Sequence, residues 1–193
     1  QQWDYYQVPP CSPTGPCMAM NYAIVAASPN GDIWIAGNNP TPTGSEIGFG
    51  RFADGKWTLY RAGSNGIPKG PGISQIAVDP QGVLWASLST NNANTPNLLR
   101  FDGQTWSSFK VAPSQDIGLW TVSGIAFDLD GSIWVRIAST LAHLKGDTWQ
   151  YYTAPMEMYG IFSGGLAIDK NGTKWLGNNM LLALVSFDGS TWR

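Results

Sequence analysis

The residue types that could carry chemistry in this chain are few. His143 is the single histidine and therefore the obvious acid–base candidate near neutral pH. Asp128 and Asp130 stand two residues apart, a spacing that could begin a calcium loop. Cys11 and Cys17 could form a disulfide or remain free thiols. The ten tryptophans could stack on sugars or fill a core. The pattern around each residue decides among these chemistries.

A turn motif, Asp/Ser-x-x-Gly-x-x-Trp, occurs four times. An Asp or Ser three residues before glycine can accept hydrogen bonds from the amides of its own turn, and glycine supplies a positive φ without steric cost. Apolar residues precede each copy and follow all but the last, so each motif predicts a β-hairpin. The copies are Ser28–Trp34, Asp79–Trp85, Asp128–Trp134 and Asp169–Trp175, with their glycines at Gly31, Gly82, Gly131 and Gly172.

A second hairpin motif follows each first one and also ends in tryptophan. Two hairpins give four strands in each repeat, and the repeats recur every 41 to 51 residues, which is the period of a β-propeller blade. A β-sandwich also uses many short strands, but it does not explain tryptophans that recur in phase. The sequence predicts an all-β propeller of four-stranded antiparallel blades, with about four blades visible. The second motifs are Phe52–Trp57, Phe101–Trp106, Leu144–Trp149 and Phe187–Trp192.

The chain is interpreted as one propeller domain or a fragment of one, covering residues 1–193. The blade repeats are expected at about 21–62, 72–113, 122–155 and 162–193. Residues 1–20 are expected to hold the cysteine loop and the outer strand of a preceding or closing blade, because Trp3–Pro9 matches Trp149–Pro155. Both ends thus offer the same strand type. The chain is therefore expected to be an arc of a longer propeller, or half of a ring that a second chain completes.

The repeats favour structural roles for most of the candidates. His143 aligns with Arg51, Arg100 and Ser186, so we expect a variable strand residue that reaches solvent and no catalytic role. The other turns do not repeat the Asp128/Asp130 pair, so turn capping is favoured over calcium and no metal is expected. In-phase recurrence assigns to the core Trp34, Trp57, Trp85, Trp106, Trp134, Trp149, Trp175 and Trp192.

Two aromatic residues stand outside the repeat. Trp120 and Tyr159 lie in the connections after the second and third blades. Loops on a rigid scaffold commonly carry binding residues, so these two side chains are our candidate ligand contacts. Two prolines and a glycine separate Cys11 from Cys17, which favours a tight loop, a disulfide and an oxidising compartment.

Composition excludes several function classes. Hydrophobic residues make up 43%, which excludes a disordered chain, and the net charge is −2 with lysines and arginines scattered singly. No basic stripe exists for a nucleic-acid backbone. The apolar run Met180–Val185 is far shorter than the roughly 20 residues of a membrane span. No cofactor is expected.

The repeats resemble the two-component regulator propeller repeat, through the Asp-x-x-Gly-x-x-Trp turn and through Arg51-Phe52, Arg100–Gly103 and Phe187–Gly189. The resemblance implies a sensing part of a bacterial signalling protein outside the cytoplasm, often tuned to saccharides. We therefore expect a secreted, periplasmic or cell-surface module that is not an enzyme and presents loops to a protein, to another copy of itself or to a saccharide. The alternatives are a glycan-active hydrolase or lyase and the sensor domain of a signalling protein.

Overall fold

A computed structural model describes residues 3–4, 6–8, 24–41, 44–69, 72–90, 92, 94–112, 121–158, 165–178 and 183–193. The described residues form β-strands and one short 3₁₀ turn at Met156–Met158. Blade 1 contains β1 (Ile24–Ala27), β2 (Ile33–Thr41), β3 (Gly44–Ala53) and β4 (Lys56–Arg61); blade 2 contains β5 (Gly72–Val78), β6 (Leu84–Ser89), β7 (Leu98–Phe101) and β8 (Trp106–Phe109). Blade 3 contains β9 (Val122–Phe127), β10 (Ile133–Ile137), β11 (Thr140–Lys145) and β12 (Thr148–Thr153); blade 4 contains β13 (Leu166–Ile168), β14 (Lys174–Asn178) and β15 (Ala183–Phe187).

Each blade is an antiparallel meander in which strands adjacent in sequence are adjacent in space. Blades 1 to 3 have four strands, and blade 4 has three strands extended by a bridge between Phe187 and Trp192. The first strands of successive blades contact one another, β1 with β5, β5 with β9 and β9 with β13. First strands that meet in series lie innermost around a common axis. The predicted all-β propeller of antiparallel blades is confirmed.

Glycine closes the first hairpin of every blade. The φ angles are +92° at Gly31, +87° at Gly82, +82° at Gly131 and +78° at Gly172. This left-handed region is open to glycine and costly for residues with a Cβ. In each turn the glycine amide donates to the carbonyl of the residue three positions earlier at 2.9 Å. The turn motif therefore sets where each blade folds back on itself.

The hydrophobic core lies between blades. Each blade has a leading face, which packs on the preceding blade, and a trailing face, which packs on the following one. The first interface joins Trp34 and Phe49 of blade 1 to Leu84 and Phe101 of blade 2. The second and third interfaces repeat this arrangement with Trp85 and Leu98 facing Ile125 and Ile133, and with Trp134 and Leu141 facing Leu166 and Phe187. A blade therefore completes its core only when neighbours cover both faces.

Within the part of the chain that the structure describes, no helix has the length and apolar character needed to span a membrane.

Candidate ligand groove between blades 2 and 3

The turn aspartates hold the tryptophans of the repeat. The Asp79 carboxylate accepts hydrogen bonds from the amides of Gln81 (3.0 Å) and Val83 (2.9 Å) and from Trp85 Nε1 (3.2 Å). Asp169 makes the same three bonds in blade 4, at 2.8, 3.0 and 2.9 Å. The spacing of the motif thus lets one carboxylate close the turn and orient the indole six residues later.

Asp128 has a further partner from the next blade. Its carboxylate accepts from Trp134 Nε1 at 3.1 Å and from Lys174 Nζ at 2.6 Å. Burial would raise the pKa of Asp128, but the hydrogen bond from Lys174 and the other donors lower it below its usual value. Asp130 accepts from the amide and hydroxyl of Ser132. Both carboxylates are therefore occupied, and no group of three or more His, Cys, Asp or Glu able to hold a metal is found among the described residues.

His143 is buried, so the expectation that it reaches solvent is wrong. The residue is 7% exposed, and its imidazole stacks on the indole of Trp134 with ring centroids 4.1 Å apart. The two residues are direct cross-strand partners on β10 and β11, which places the imidazole on the indole rather than in water. Burial lowers the pKa of His143 below its usual value, which favours the neutral ring.

The hydrogen bonds of His143 do not make a nucleophilic triad. Its Nε2 lies 2.8 Å from Ser132 Oγ, and that hydroxyl donates to Asp130 Oδ1 at 2.6 Å. In a Ser-His-Asp triad the carboxylate orients the imidazole from its other nitrogen. Here the carboxylate contacts the serine, and His143 Nδ1 is buried with no hydrogen-bond partner among the described residues. The geometry fits packing rather than proton transfer.

The position opposite the repeat tryptophan has one role in the first three blades. Arg51 faces Trp34 and Arg100 faces Trp85 across the strands, and each guanidinium carbon lies 5.9 Å from the indole centroid. His143 covers its tryptophan from the same position. Ser186, the equivalent in blade 4, is too short to do so. This position therefore serves to cover the indole.

A groove of about 350 Å³ opens between blades 2 and 3. Trp85 and Phe109, whose ring centroids are 5.8 Å apart, form its aromatic wall. Leu144 forms the opposite side, and the exposed Asp147 stands on the rim. Arg100, whose side chain is 32% exposed, borders the groove from blade 2. The volume lies within the range of small-ligand sites.

One substitution in the repeat explains why the groove is here. In the first interface Phe101 of blade 2 lies 5.6 Å from Trp34, and in the third interface Phe187 of blade 4 lies 6.3 Å from Trp134. Blade 3 has Leu144 at this position, paired across the hairpin with its tryptophan as the phenylalanines are. Leucine has no ring, so at this position blade 3 does not supply the aromatic contact that the first and third interfaces have.

Charge at the groove is carried by a partly exposed pair. Arg100 Nη1 lies 3.3 Å from Asp102 Oδ2. Backbone hydrogen bonds from Thr105 and Gln104 lower the pKa of Asp102 to about 2, so this carboxylate is ionised at neutral pH. An arginine already oriented by a carboxylate presents its remaining N–H donors in a fixed plane. The groove thus combines aromatic surface with hydrogen-bond donors and acceptors.

A second cavity, between blades 3 and 4, is too small for a ligand. It measures about 10 Å³ and is lined by residues that include Arg136, Leu176 and Trp192. That is about the space one water molecule needs. The groove beside Leu144 is the larger of these two spaces by a wide margin, so it is the candidate site.

The predicted site residues fall into three groups. Trp120, Tyr159, Cys11 and Cys17 lie outside the described residues, so their ligand and disulfide roles stay predictions. Trp34, Trp85, Trp106 and Trp134 are buried, and Trp57, Trp149 and Trp192 are half-buried. Trp175 departs from the expected core role, because it is 38% exposed. The groove residues were not predicted as a site, although Leu144 in place of a phenylalanine was a visible irregularity.

Comparison with known proteins supports the fold alone. No protein-family model matches the chain, and no curated protein sequence matches it. Among solved structures, the chain is similar to an extracellular domain assigned to the hybrid two-component system BT4673 of B. thetaiotaomicron, with 18% identity and a TM-score of 0.56 over 88% of this chain and 21% of that one. It is similar to the corresponding BT3049 domain, with 19% identity and a TM-score of 0.58 over 88% and 22%.

An enzyme shares the fold as well. A gluconolactonase, XC5397 of Xanthomonas campestris, is 13% identical with a TM-score of 0.55, over 85% of this chain and 57% of that one. The chain spans only about a fifth of the two-component domains it matches. The chain is similar to propeller proteins of more than one function, and the resemblance of its repeats to the two-component regulator propeller stays a prediction.

Proposed function

We propose that this chain is a binding module without catalytic activity, acting outside the cytoplasm, and that the groove between blades 2 and 3 takes a saccharide unit. The observation that carries the proposal is the 350 Å³ groove with its aromatic wall. The C–H face of a pyranose packs on an aromatic ring, while its hydroxyls need donors and acceptors at the rim. Phe109 supplies the ring, and Arg100 and Asp147 supply the polar groups.

The state of the reactive side chains supports binding over catalysis. His143 packs on Trp134, and the carboxylates of Asp79, Asp128 and Asp169 each orient an indole. Acid–base catalysis requires a group that reaches the substrate proton. These groups instead fix the turns and tryptophans of their own blades.

The extracellular character of the two-component neighbours agrees with a sensor or surface role. If the chain is a sensor, the signal molecule would bind in the groove or at the loops that carry Trp120 and Tyr159. Those loop residues remain our prediction for further ligand contacts. A disulfide between Cys11 and Cys17 would fit the same compartment, and intact mass before and after reduction and alkylation tests it.

The test is saccharide binding to the chain and to two matched leucine variants. Neutral and acidic mono- and disaccharides are screened by ligand-observed NMR, and hits are measured by calorimetry. L144F restores the ring that the other interfaces carry and fills the groove. Leu129 is 73% exposed in the turn between β9 and β10, so L129F is a control for adding a phenyl group elsewhere. We expect at least about a 10-fold loss of affinity in L144F and no change in L129F.

Two results would count against the proposal. If no saccharide in the panel binds at millimolar concentration, or if L144F binds as well as the parent chain, the groove is only a packing irregularity. Turnover of a lactone or glycoside by the purified chain would favour the enzyme alternative instead. In that case the neighbouring gluconolactonase would become the better guide to function.

A further inference from the structure

The second hairpin turn of blade 3 departs from the pattern of blades 2 and 4. Blades 2 and 4 read Phe-Asp-Gly-x-Thr-Trp, at Phe101–Trp106 and Phe187–Trp192. Blade 3 reads Leu-Lys-Gly-Asp-Thr-Trp at Leu144–Trp149, so its aspartate follows the glycine instead of preceding it. Two of the changed residues, Leu144 and Asp147, border the groove between blades 2 and 3. The altered turn and the groove therefore lie at the same place.

In blades 2 and 4 the carboxylate of this turn is used by the turn itself. Asp102 accepts hydrogen bonds from the amides of Gln104 and Thr105 and from the Thr105 hydroxyl, at 3.0, 2.9 and 3.0 Å. Asp188 likewise accepts from the two amides that follow its glycine, at 3.0 and 2.8 Å. These bonds hold both aspartates at their own turns.

Asp147 has no such role in its turn. Lys145 occupies the position of the capping aspartate, and the Thr148 hydroxyl closes the turn by donating to the Lys145 carbonyl at 3.1 Å. The Asp147 side chain is exposed, and its carboxylate accepts no hydrogen bond and forms no ion pair among the residues that the structure describes. An exposed carboxylate is negatively charged at neutral pH. This charge therefore stands at the rim of the groove without a partner in its own turn.

The positive charges near the groove are matched or lie elsewhere. Arg100 borders the groove, and its Nη1 lies 3.3 Å from Asp102 Oδ2. Lys145 follows Leu144 on β11, and because side chains alternate along a strand it lies on the trailing face of blade 3, away from the groove. The charged residues that line the groove, together with Asp102, are therefore one cation and two anions. The groove carries one excess negative charge, at Asp147.

We propose that the groove selects saccharides that carry a free amino group, such as 2-amino-2-deoxyhexoses, over neutral and acidic sugars, an inference that rests on the proposed saccharide-binding function. The apolar face of the sugar packs on Phe109, and its protonated amine donates to the Asp147 carboxylate. A hydrogen bond between charged groups is stronger than one between neutral groups. The remaining N–H donors of Arg100 suit neutral hydroxyls, because Asp102 already neutralises the guanidinium. A sugar carboxylate would instead be repelled by Asp147.

The test compares glucosamine, glucose and glucuronate, which share one ring, at about pH 6, where the amine is protonated and the carboxylate is ionised. Ligand-observed NMR and calorimetry give the affinity of each sugar for the chain. We expect glucosamine to bind about 3–5-fold more tightly than glucose, and glucuronate to bind more weakly than glucose. Added salt should reduce the preference for glucosamine, because salt screens the charge of Asp147.

Two aspartate variants separate the charge of Asp147 from the net charge of the chain. D147N keeps the size of the side chain and removes its charge, so glucosamine should bind no better than glucose. Asp54 is an exposed aspartate in the corresponding turn of blade 1, away from the groove, so D54N should leave the preference for glucosamine unchanged. Circular dichroism checks that both variants remain folded.

The outcomes distinguish this inference from the function on which it rests. If glucose and glucuronate bind as tightly as glucosamine, the groove takes saccharides without selecting for an amine, and the inference is overturned. A preference for glucosamine that survives in D147N also overturns it, because another group then binds the amine. If none of the three sugars binds at millimolar concentration, the proposed function fails and the inference falls with it.

Discussion

Replacing Asp79 by alanine tests whether the turn carboxylate holds the blade together through its tryptophan. Asp79 is 7% exposed and Trp85 is 5% exposed. The substitution removes the acceptor of the indole N–H and of two backbone amides. The indole belongs to a buried side chain, so leaving its N–H unpaired costs about 1–3 kcal/mol, and each amide bond contributes about 1 kcal/mol. We expect D79A to lower the free energy of unfolding by about 3–5 kcal/mol.

Asp169 is the internal control. It makes the same three hydrogen bonds, but its indole belongs to Trp175, which is 38% exposed. Water can replace the lost acceptor there. D169A should therefore destabilise the chain clearly less than D79A, although the two substitutions delete identical bonds.

Denaturant unfolding followed by tryptophan fluorescence and circular dichroism measures both variants. For a chain of this size, 1 kcal/mol corresponds to about 2–4 °C in Tm, so D79A should melt about 6–20 °C below the parent. D79N, which keeps one carbonyl acceptor, should fall between the parent and D79A. If D169A costs as much as D79A, burial of the indole does not set the cost. If D79A costs less than about 1 kcal/mol, the carboxylate is not a structural anchor.

Two further predictions concern buried and charged groups. Lys174 is 4% exposed on its bond to Asp128, and the other blades have Ile or Leu at its position. Removing the lysine alone leaves the Asp128 carboxylate unpaired, so denaturant unfolding should show K174I about 3 kcal/mol below the parent and D128N/K174I less destabilised than K174I; a K174I variant as stable as the parent would contradict this. Burial lowers the pKa of His143 in the folded chain, so as the pH falls below 6.5 the unfolded chain binds a proton first and the folded chain loses stability. The Tm should therefore fall between pH 8 and pH 5, and H143Q should reduce this fall.

The local part of the fold could be predicted from sequence because its causes are local. The glycine with a positive φ and the aspartate that accepts hydrogen bonds from its own turn both lie within one seven-residue motif. Their recurrence at Asp79, Asp128 and Asp169 therefore marked the hairpins directly. The blade architecture followed from the count of hairpins in each repeat.

The environment of a side chain at the blade interface could not be predicted in the same way. His143 aligns with arginines, and arginine is usually a surface residue, so the alignment suggested exposure. The cross-strand register instead places this position against the indole, where the arginine guanidinium lies over the ring and histidine stacks on it. Trp175 shows the converse, because its motif is intact but its exposure depends on a neighbour that the motif does not encode.

The groove has its physical origin in the way the blades pack on one another. Because the core lies between blades, every blade depends on side chains that the next blade supplies. Where blade 3 supplies Leu144 instead of a phenyl ring, the gap is the size of a small ligand. A saccharide in the groove would replace the missing inter-blade contact. A saccharide that binds there should therefore raise the Tm of the chain with rising concentration, and L144F should abolish this effect.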